Sequence, residues 1–330
     1  MTERTMYMLS VFMLSGCFSQ GLPGAEDTSP DAPVIEDTET DPTTSDPLVI
    51  LITVDTLNSR FLNINQADWN VSPNLDLLFS ESVIVDDIIA PRGVTLPSMV
   101  SMITGEYPRS HGTRGNIGAD GSLGNWDGSI KGFLEVLQEE GWYTYGYSSN
   151  MCESINFGID SRLCTHPAEM PEIESQVVGD QFLVTSLLEA LETRPSDQPA
   201  FAWLHLMDPH TPYVAVSPYY DEFHPQEYNG RLPSENLSAT PTLGVIILED
   251  TMTDADREHL QASYASQIRG VDTLIGDFLT GLKDSGLYTD AVIIFGADHG
   301  EEVGLYSSWR RPGSDESAGT GSDMAFATWS

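Results

Sequence analysis

Residues Leu48-Val49-Ile50-Leu51-Ile52-Thr53-Val54 form an unbroken, largely β-branched apolar run. Such a run has no polar face to turn to water, so it predicts a strand of a parallel sheet buried on both faces. Similar runs occur at Val83 to Ala90, Tyr143 to Ser148, Phe201 to Met207 and Ala291 to Phe295. Between the last two lies a helical pattern. Thr253 with Asp256 offers a capping box, and Leu260, Tyr264, Ile268, Val271, Ile275, Phe278 and Leu282 follow at three- and four-residue spacing until Gly286 stops the helix. Strands alternating with helices predict one large α/β domain with helices on both faces of the sheet. With 330 residues and 40% hydrophobic composition, the chain is large enough to bury such a core.

The globular part is expected to start at about Leu48. Before it, Gly24 to Pro47 is rich in Pro, Thr, Ser, Asp and Glu and nearly free of large apolar residues, so residues 18–47 read as a disordered acidic tether. The first residues read as an export signal, with Arg4 ahead of the apolar run Met6 to Leu14. At roughly 10 residues the run is too short to span a bilayer as a helix, which takes about 20. It ends in Leu14-Ser15-Gly16-Cys17, which resembles a bacterial lipobox with Cys17 as the acylated residue. An ordinary signal peptide is the alternative. Lipidation predicts a membrane-held protein on the extracytoplasmic side of a bacterial cell envelope, periplasmic or at the outer membrane.

Fifty acids against 14 Lys and Arg give a formal net charge of -36, which excludes nucleic acid as a partner because no basic patch can neutralise phosphates. Cys152 and Cys164 suit a disulfide closing a short loop in an oxidising compartment, with two unpaired small apolar residues as the alternative. Neither has a His or Cys nearby at zinc-ligand spacing.

Active sites of open α/β sheets gather at the carboxyl ends of the strands. The first strand ends at Asp55-Thr56 and the last at Asp298-His299-Gly300-Glu301. Thr95-Leu96-Pro97-Ser98 opens a short helix running to Thr104-Gly105, with Pro97 suited to its first turn. Thr95 is thus placed where exposed N–H groups and the helix dipole favour an anion. A hydroxyl is a poor nucleophile at neutral pH, and metal coordination can activate it. Asp55, Asp298 and His299 with Thr95 give an O3N donor set for one divalent cation, with Zn²⁺ or Mn²⁺ favoured and Ca²⁺ as an alternative. Taken singly, each residue reads as a cap or a loop residue; their joint placement at strand ends points to a site.

Four stretches carry a family resemblance. Thr95 to Pro108, followed by His111-Gly112, resembles the sulfatase signature; Ile52 to Leu57 resembles that family's first metal-binding strand. His205-Leu206-Met207-Asp208-Pro209-His210-Thr211-Pro212-Tyr213 is similar to its central substrate-side segment, and Asp298 to Glu302 to its second metal-binding loop. The resemblance covers about Leu48 to Gly304. It implies the three-layer α/β sandwich of the alkaline-phosphatase superfamily, with a mostly parallel central sheet. Sulfatases place a Cys or Ser that becomes formylglycine where Thr95 stands, and an Arg where Met99 stands. The resemblance therefore leans towards relatives with an unmodified Thr nucleophile, such as lipoteichoic-acid synthases and phosphoethanolamine transferases. By that resemblance Asp55, Thr95, Asp298 and His299 hold a single metal, Thr95 attacks a phosphate or sulfate ester, and His210 lies near the substrate or leaving group. A loop histidine capped by Asp208 is the alternative for His210. Ser98 is expected on the substrate side. The lysine and histidine that contact sulfate in sulfatases have no clear counterpart near Gly141 to Asn150.

Relatives continue past the Asp-His-Gly loop with a further His-bearing loop and C-terminal strands, whereas residues 305–330 carry no strand or helix periodicity. They read as a disordered or aberrant tail of a truncated chain. Three functions compete: an ester hydrolase, a phospho-alcohol transferase of the same superfamily, and a non-catalytic surface lipoprotein.

Overall fold

A computed structural model describes residues 46–65, 67, 69–116, 126, 128–150, 157–166, 170, 176–224, 228–230, 232, 252–301, 303 and 323–329. The signal and Cys17, almost all of the tether, and Cys152 lie outside the described residues. Cys164 is disulfide-bonded.

The strands are β1 (Leu48–Val54), β2 (Ser82–Ile89), β3 (Tyr143–Ser148), β4 (Ser161–Cys164), β5 (Ala200–Leu206), β6 (Ala291–Ala297) and β7 (Asp323–Trp329). They form one sheet in the order β2-β7-β6-β1-β5-β3-β4. From β6 to β4 every pairing is parallel. The helices that flank it are α1 (Pro73–Ser80), α2 (Thr95–Thr104), α3 (Phe133–Glu139), α4 (Gln176–Glu192) and α5 (Asp254–Asp284).

β1 lies at the centre, and its side chains alternate between two cores. Val49 and Leu51 join Phe201 and Trp203 of β5 against α2 and α3, through Leu96, Val100, Ile103 and Leu134. Ile50, Ile52 and Val54 point the other way, against α1, α4 and α5, through Leu75, Leu78, Leu183, Leu187, Tyr264 and Ile268. Two apolar layers on one strand explain why its sequence lacks polar alternation. The fold is the expected three-layer α/β sandwich.

Helix α5 starts where its capping box places it: Thr253 Oγ accepts from the Asp256 N–H at 3.2 Å, and Asp256 accepts from the Thr253 N–H at 2.9 Å. The seven apolar residues that define its stripe are all buried. Helix α1 is capped from outside itself: Asp272 of α5 accepts from the Asn74 and Leu75 N–H groups. This ties two helices of one layer together and satisfies donors that the first turn leaves open.

Two expectations need correction. The run at Val83 is a strand but is not buried on both faces. β2 pairs antiparallel with β7 at the sheet edge, and Val83, Ile84 and Ile89 are exposed. The tail is not structureless throughout either: Asp323–Trp329 is a strand, antiparallel to β6 on one side and to β2 on the other. Both neighbours carry backbone N–H and C=O groups that need partners, and a seven-residue segment supplies them whatever precedes it. Residues 305–322 lie outside the described residues.

Candidate active site

The register of the central strands assembles the site. Val54 is aligned with Ala297 of β6 and with Leu206 of β5. Asp55, Asp298 and the Met207–His210 turn therefore leave three adjacent strands at the same edge. Asn150 leaves β3 at that edge, two residues beyond Ser148.

Asp55 and Asp298 are both fully buried, and their ion pairs among the described residues are with histidines. His299 Nε2 lies 3.5 Å from Asp55 Oδ1, 3.5 Å from Asp298 Oδ2 and 3.5 Å from Thr95 Oγ. Those two carboxylate oxygens are buried with no hydrogen-bond partner. Thr95 Oγ–H is 3.4 Å from the other Asp55 oxygen, Oδ2. His299 Nδ1–H donates to the Gly300 carbonyl at 2.9 Å, which turns the Nε2 lone pair into the site. Asp298 Oδ1 accepts from the backbone N–H groups of Thr56 and His299, fixing which oxygen faces inward. A tetrahedral ion with bonds of about 2.1 Å sets its ligands about 3.4 Å apart. The donor set Asp55 Oδ1, Asp298 Oδ2, His299 Nε2 and Thr95 Oγ fits one divalent cation, with one oxygen of each buried carboxylate left for it.

The sequence missed His205. Asp55, His205 and Asp298 bring ligand atoms within 4.8 Å of one another, and His205 Nε2 lies 3.7 Å from Asp55 Oδ2. A histidine inside the apolar strand Phe201 to Leu206 was the available signal. Asn150 was also missed; its Nδ2 donates to Asp55 Oδ2 at 2.9 Å. This puts a neutral amide beside the site in the stretch where the sulfatase lysine and histidine have no counterpart.

The protonation energetics reflect two buried acids set beside histidines. Burial raises Asp55, but the His205 ring 3.7 Å away and the charges of His210 and His299 outweigh this, leaving it well below the usual carboxylate range. Burial and then the Asp55 charge push Asp298 up to about 6. Burial lowers His299 and His205, yet the neighbouring carboxylates leave both raised.

His210 stands on the turn after β5, close enough for its charge to act on Asp55. Its Nδ1 lies 2.6 Å from the Thr211 carbonyl and donates to it, leaving Nε2 for chemistry. Asp208 does not cap it: that carboxylate is buried and accepts from Gln267 Nε2 at 3.0 Å. Ser98 is a correction. It is fully buried, and its hydroxyl donates to the Arg92 carbonyl at 2.7 Å, so it braces the loop ahead of α2.

Thr56 has φ +58°, a left-handed conformation that is strained for a β-branched residue. Tyr264 of α5 holds it, donating to the Thr56 carbonyl at 2.7 Å and accepting from the Asn58 N–H at 2.8 Å. Tyr264→Phe should lower stability by about 1–3 kcal/mol, because two buried backbone groups lose their partner. Calorimetry on the metal-free chain checks this, and an unchanged melting temperature would show that the loop holds itself.

Asp180 of α4 ties together the turns that carry Asn150 and His210. It accepts from Ser149 Oγ and from the Met207 and Asp208 N–H groups. Burial raises it to about 6 despite those bonds, and burial with the Asp180 charge pushes Asp208 up well beyond the carboxylate range. Between the unfolded value near 4 and the folded value near 6, the native state holds a proton that the unfolded chain has lost. Stability therefore falls as pH rises through that window, by up to about 1.4 kcal/mol per pH unit for each such carboxyl. In melts of the metal-free chain from pH 4.5 to 7, Asp180→Asn should gain on the wild type as pH rises. A constant difference between the two would contradict the assignment.

The comparisons with known proteins follow this geometry. The sulfatase family profile matches residues 47–324, past the point near Gly304 where the sequence motifs give out. The chain belongs to the sulfatase family. An arylsulfatase of Clostridium perfringens is 21% identical over 318 residues, covering 80% of this chain and 65% of its own length. The chain thus spans somewhat less than two thirds of that relative. Among solved structures, a protein in complex with its substrate D-glucosamine-2-N,6-O-disulfate aligns with TM-score 0.65 and 15% identity, over 86% of this chain and 71% of that one. The phosphonate monoester hydrolase of Agrobacterium radiobacter aligns with TM-score 0.62 and 18% identity, over 86% and 68%. At those identities the structures establish the fold, which is that of the alkaline-phosphatase superfamily.

Proposed function

We propose that this sulfatase-family chain hydrolyses sulfate or phosphate esters with Thr95 as nucleophile, at a site holding one divalent cation. One observation carries the reading: Thr95 Oγ, on the first residue of α2, lies 3.4 Å from Asp55 Oδ2 and 3.5 Å from His299 Nε2, the nitrogen that also stands 3.5 Å from the unpartnered oxygens of Asp55 and Asp298. The cation, when bound, stabilises negative charge on Thr95 Oγ and on the ester oxygens. The donor set favours Zn²⁺ or Mn²⁺ over Ca²⁺.

Thr95 is fixed by the helix, with its Oγ–H directed to Asp55 Oδ2. It passes that proton to Asp55 Oδ2 as its oxygen bonds to sulfur or phosphorus and the bond to the leaving alcohol breaks, and it takes the proton back when the threonine ester is split. His210 protonates the departing oxygen through Nε2. The same nitrogen, now neutral, takes a proton from the water that splits the threonine ester, and the inorganic anion leaves. The first turn of α2 favours the anionic group through its dipole, the Leu96 N–H being taken by Asn116 Oδ1 at 2.9 Å. Asn150 replaces a cationic wall by a neutral donor, which suits an ester already facing a metal and two histidines.

Esters carrying ³⁵S or ³²P, offered with Mn²⁺ or Zn²⁺, test the reaction. Release of labelled anion, with the label trapped on Thr95 after a rapid quench, is expected; label on no residue in any metal would refute a covalent route. Adding acceptor alcohols separates hydrolysis from transfer, since a transferase would carry the label to the acceptor.

The pattern ending in Cys17 supports a lipid-anchored protein on the extracytoplasmic side of a bacterial envelope. Among the described residues, no helix is long and apolar enough to cross a membrane. Labelled fatty acid should enter the expressed chain and be lost in Cys17→Ser; equal labelling of both would refute the anchor.

A further inference from the structure

Thr53 of β1 is paired in register with His205 of β5, and Trp203 lies two residues earlier on the same strand. All three are buried. The Trp203 indole N–H donates to Thr53 Oγ at 2.8 Å, and an indole nitrogen can only donate. Thr53 Oγ is also 2.8 Å from His205 Nδ1. Having accepted from the indole, the hydroxyl has its own proton to place, and His205 Nδ1 is the acceptor within reach. A ring that accepts at Nδ1 carries its proton on Nε2, on the side of Asp55 Oδ2 at 3.7 Å. That oxygen also receives Asn150 Nδ2 at 2.9 Å. Asn150 thus holds Oδ2, which His205 Nε2 faces at 3.7 Å without a hydrogen-bond partner of its own, whereas Oδ1 is left without a partner, 3.5 Å from His299 Nε2.

We propose that Trp203, Thr53 and His205 form a relay that holds His205 as an Nε2–H donor behind Asp55, so that Asp55 presents Oδ1 to the cation. His205 is then a positioning residue and not a metal ligand, although its ring lies near enough to both carboxylates to be mistaken for one. The opposite tautomer would strand the Thr53 proton and set the Nε2 lone pair against a carboxylate oxygen with both side chains fully buried. The proposal rests on the metal reading above, but its hydrogen-bond chain exists without the ion.

The test uses the full chain with ¹⁵N-labelled histidine, metal-free at high pH and loaded with ¹¹³Cd²⁺, with His205→Gln assigning the signals. His205 should show an unprotonated Nδ1 and a protonated Nε2 in both states, and one-bond coupling to cadmium should appear at His299 and be absent from His205. Cadmium coupling at His205, or a proton on its Nδ1 alone in the metal-free chain, overturns the relay. A chain that binds no cadmium defeats the metal reading, while the metal-free tautomer still decides the relay. Thr53→Val should weaken Mn²⁺ binding by about 10- to 100-fold, the range typical of outer-shell changes, with Thr53→Ser restoring it. Unchanged affinity in Thr53→Val would also overturn it. Should that variant fail to fold, the wild-type resonances decide.

Discussion

Thr95→Ala should lower kcat by at least about a thousandfold, since it removes the hydroxyl held between the Asp55 carboxylate and His299 Nε2. The fold should survive. Thr95 is the first residue of α2, whose N-cap is Val94, and its Oγ has only long contacts, 3.4 Å to Asp55 and 3.5 Å to His299. Metal affinity should fall far less than turnover, because the variant keeps both carboxylates and the His299 nitrogen and loses one neutral oxygen. Thr95→Ser should recover part of the rate, as it restores the oxygen without the methyl group that limits its rotamers. The two quantities need separate measurement: single-turnover kinetics with labelled ester, and Mn²⁺ titration by calorimetry. Full turnover in Thr95→Ala would assign the nucleophile to another group, such as water. Equal losses of turnover and affinity would make Thr95 a ligand first.

Asp298→Asn should abolish the thermal stabilisation that a divalent cation gives. A ligand that binds only the folded state at a hundredfold excess over Kd adds about 2.7 kcal/mol, roughly 5–10 °C for a domain of this size. The asparagine keeps the outer oxygen that accepts from the Thr56 and His299 N–H groups, so the loop should persist. At the inward position it can offer a neutral amide in place of a carboxylate oxygen, removing one of the two negative charges that attract the ion. The metal-free variant should melt no lower than the wild type at neutral pH, because burial and the Asp55 charge already disfavour the ionised Asp298. Melts with Zn²⁺, Mn²⁺ and Ca²⁺ on both chains check this. An undiminished rise in Asp298→Asn would place the ion elsewhere.

The elements read correctly from sequence are those whose environment is uniform. β1 is buried on both faces and reads as unbroken apolar residues. Helix α5 carries its own start signal in Thr253 and Asp256 and its own stop in Gly286, which has φ +77°. β2 was misjudged because an apolar run does not reveal whether a second layer covers it. β7 escaped because seven residues after a Gly/Ser/Asp stretch have too little pattern of their own; neighbouring backbones make the strand.

The site divides along the same line. Asp55, Thr95, Asp298 and His299 were legible because strand ends and a helix start are local features, and a polar residue there stands out against apolar sequence. Ser98 was legible as a neighbour of Thr95 on the helix, but the sequence does not show that its hydroxyl donates to the Arg92 carbonyl. His205 and Asn150 were invisible as site residues until the register set β5 and β3 beside β1. By itself, then, the sequence determined the α/β layering, the long helix and the chemical type of the candidate site residues, all of which depend on residues close together along the chain. The tertiary structure alone decided which oxygen of each aspartate is left without a partner, which histidines stand beside them, and which strand closes the sheet. Those depend on hydrogen bonds between residues far apart in sequence, such as Thr53 with His205 and Tyr264 with Thr56, and no local pattern encodes such pairs.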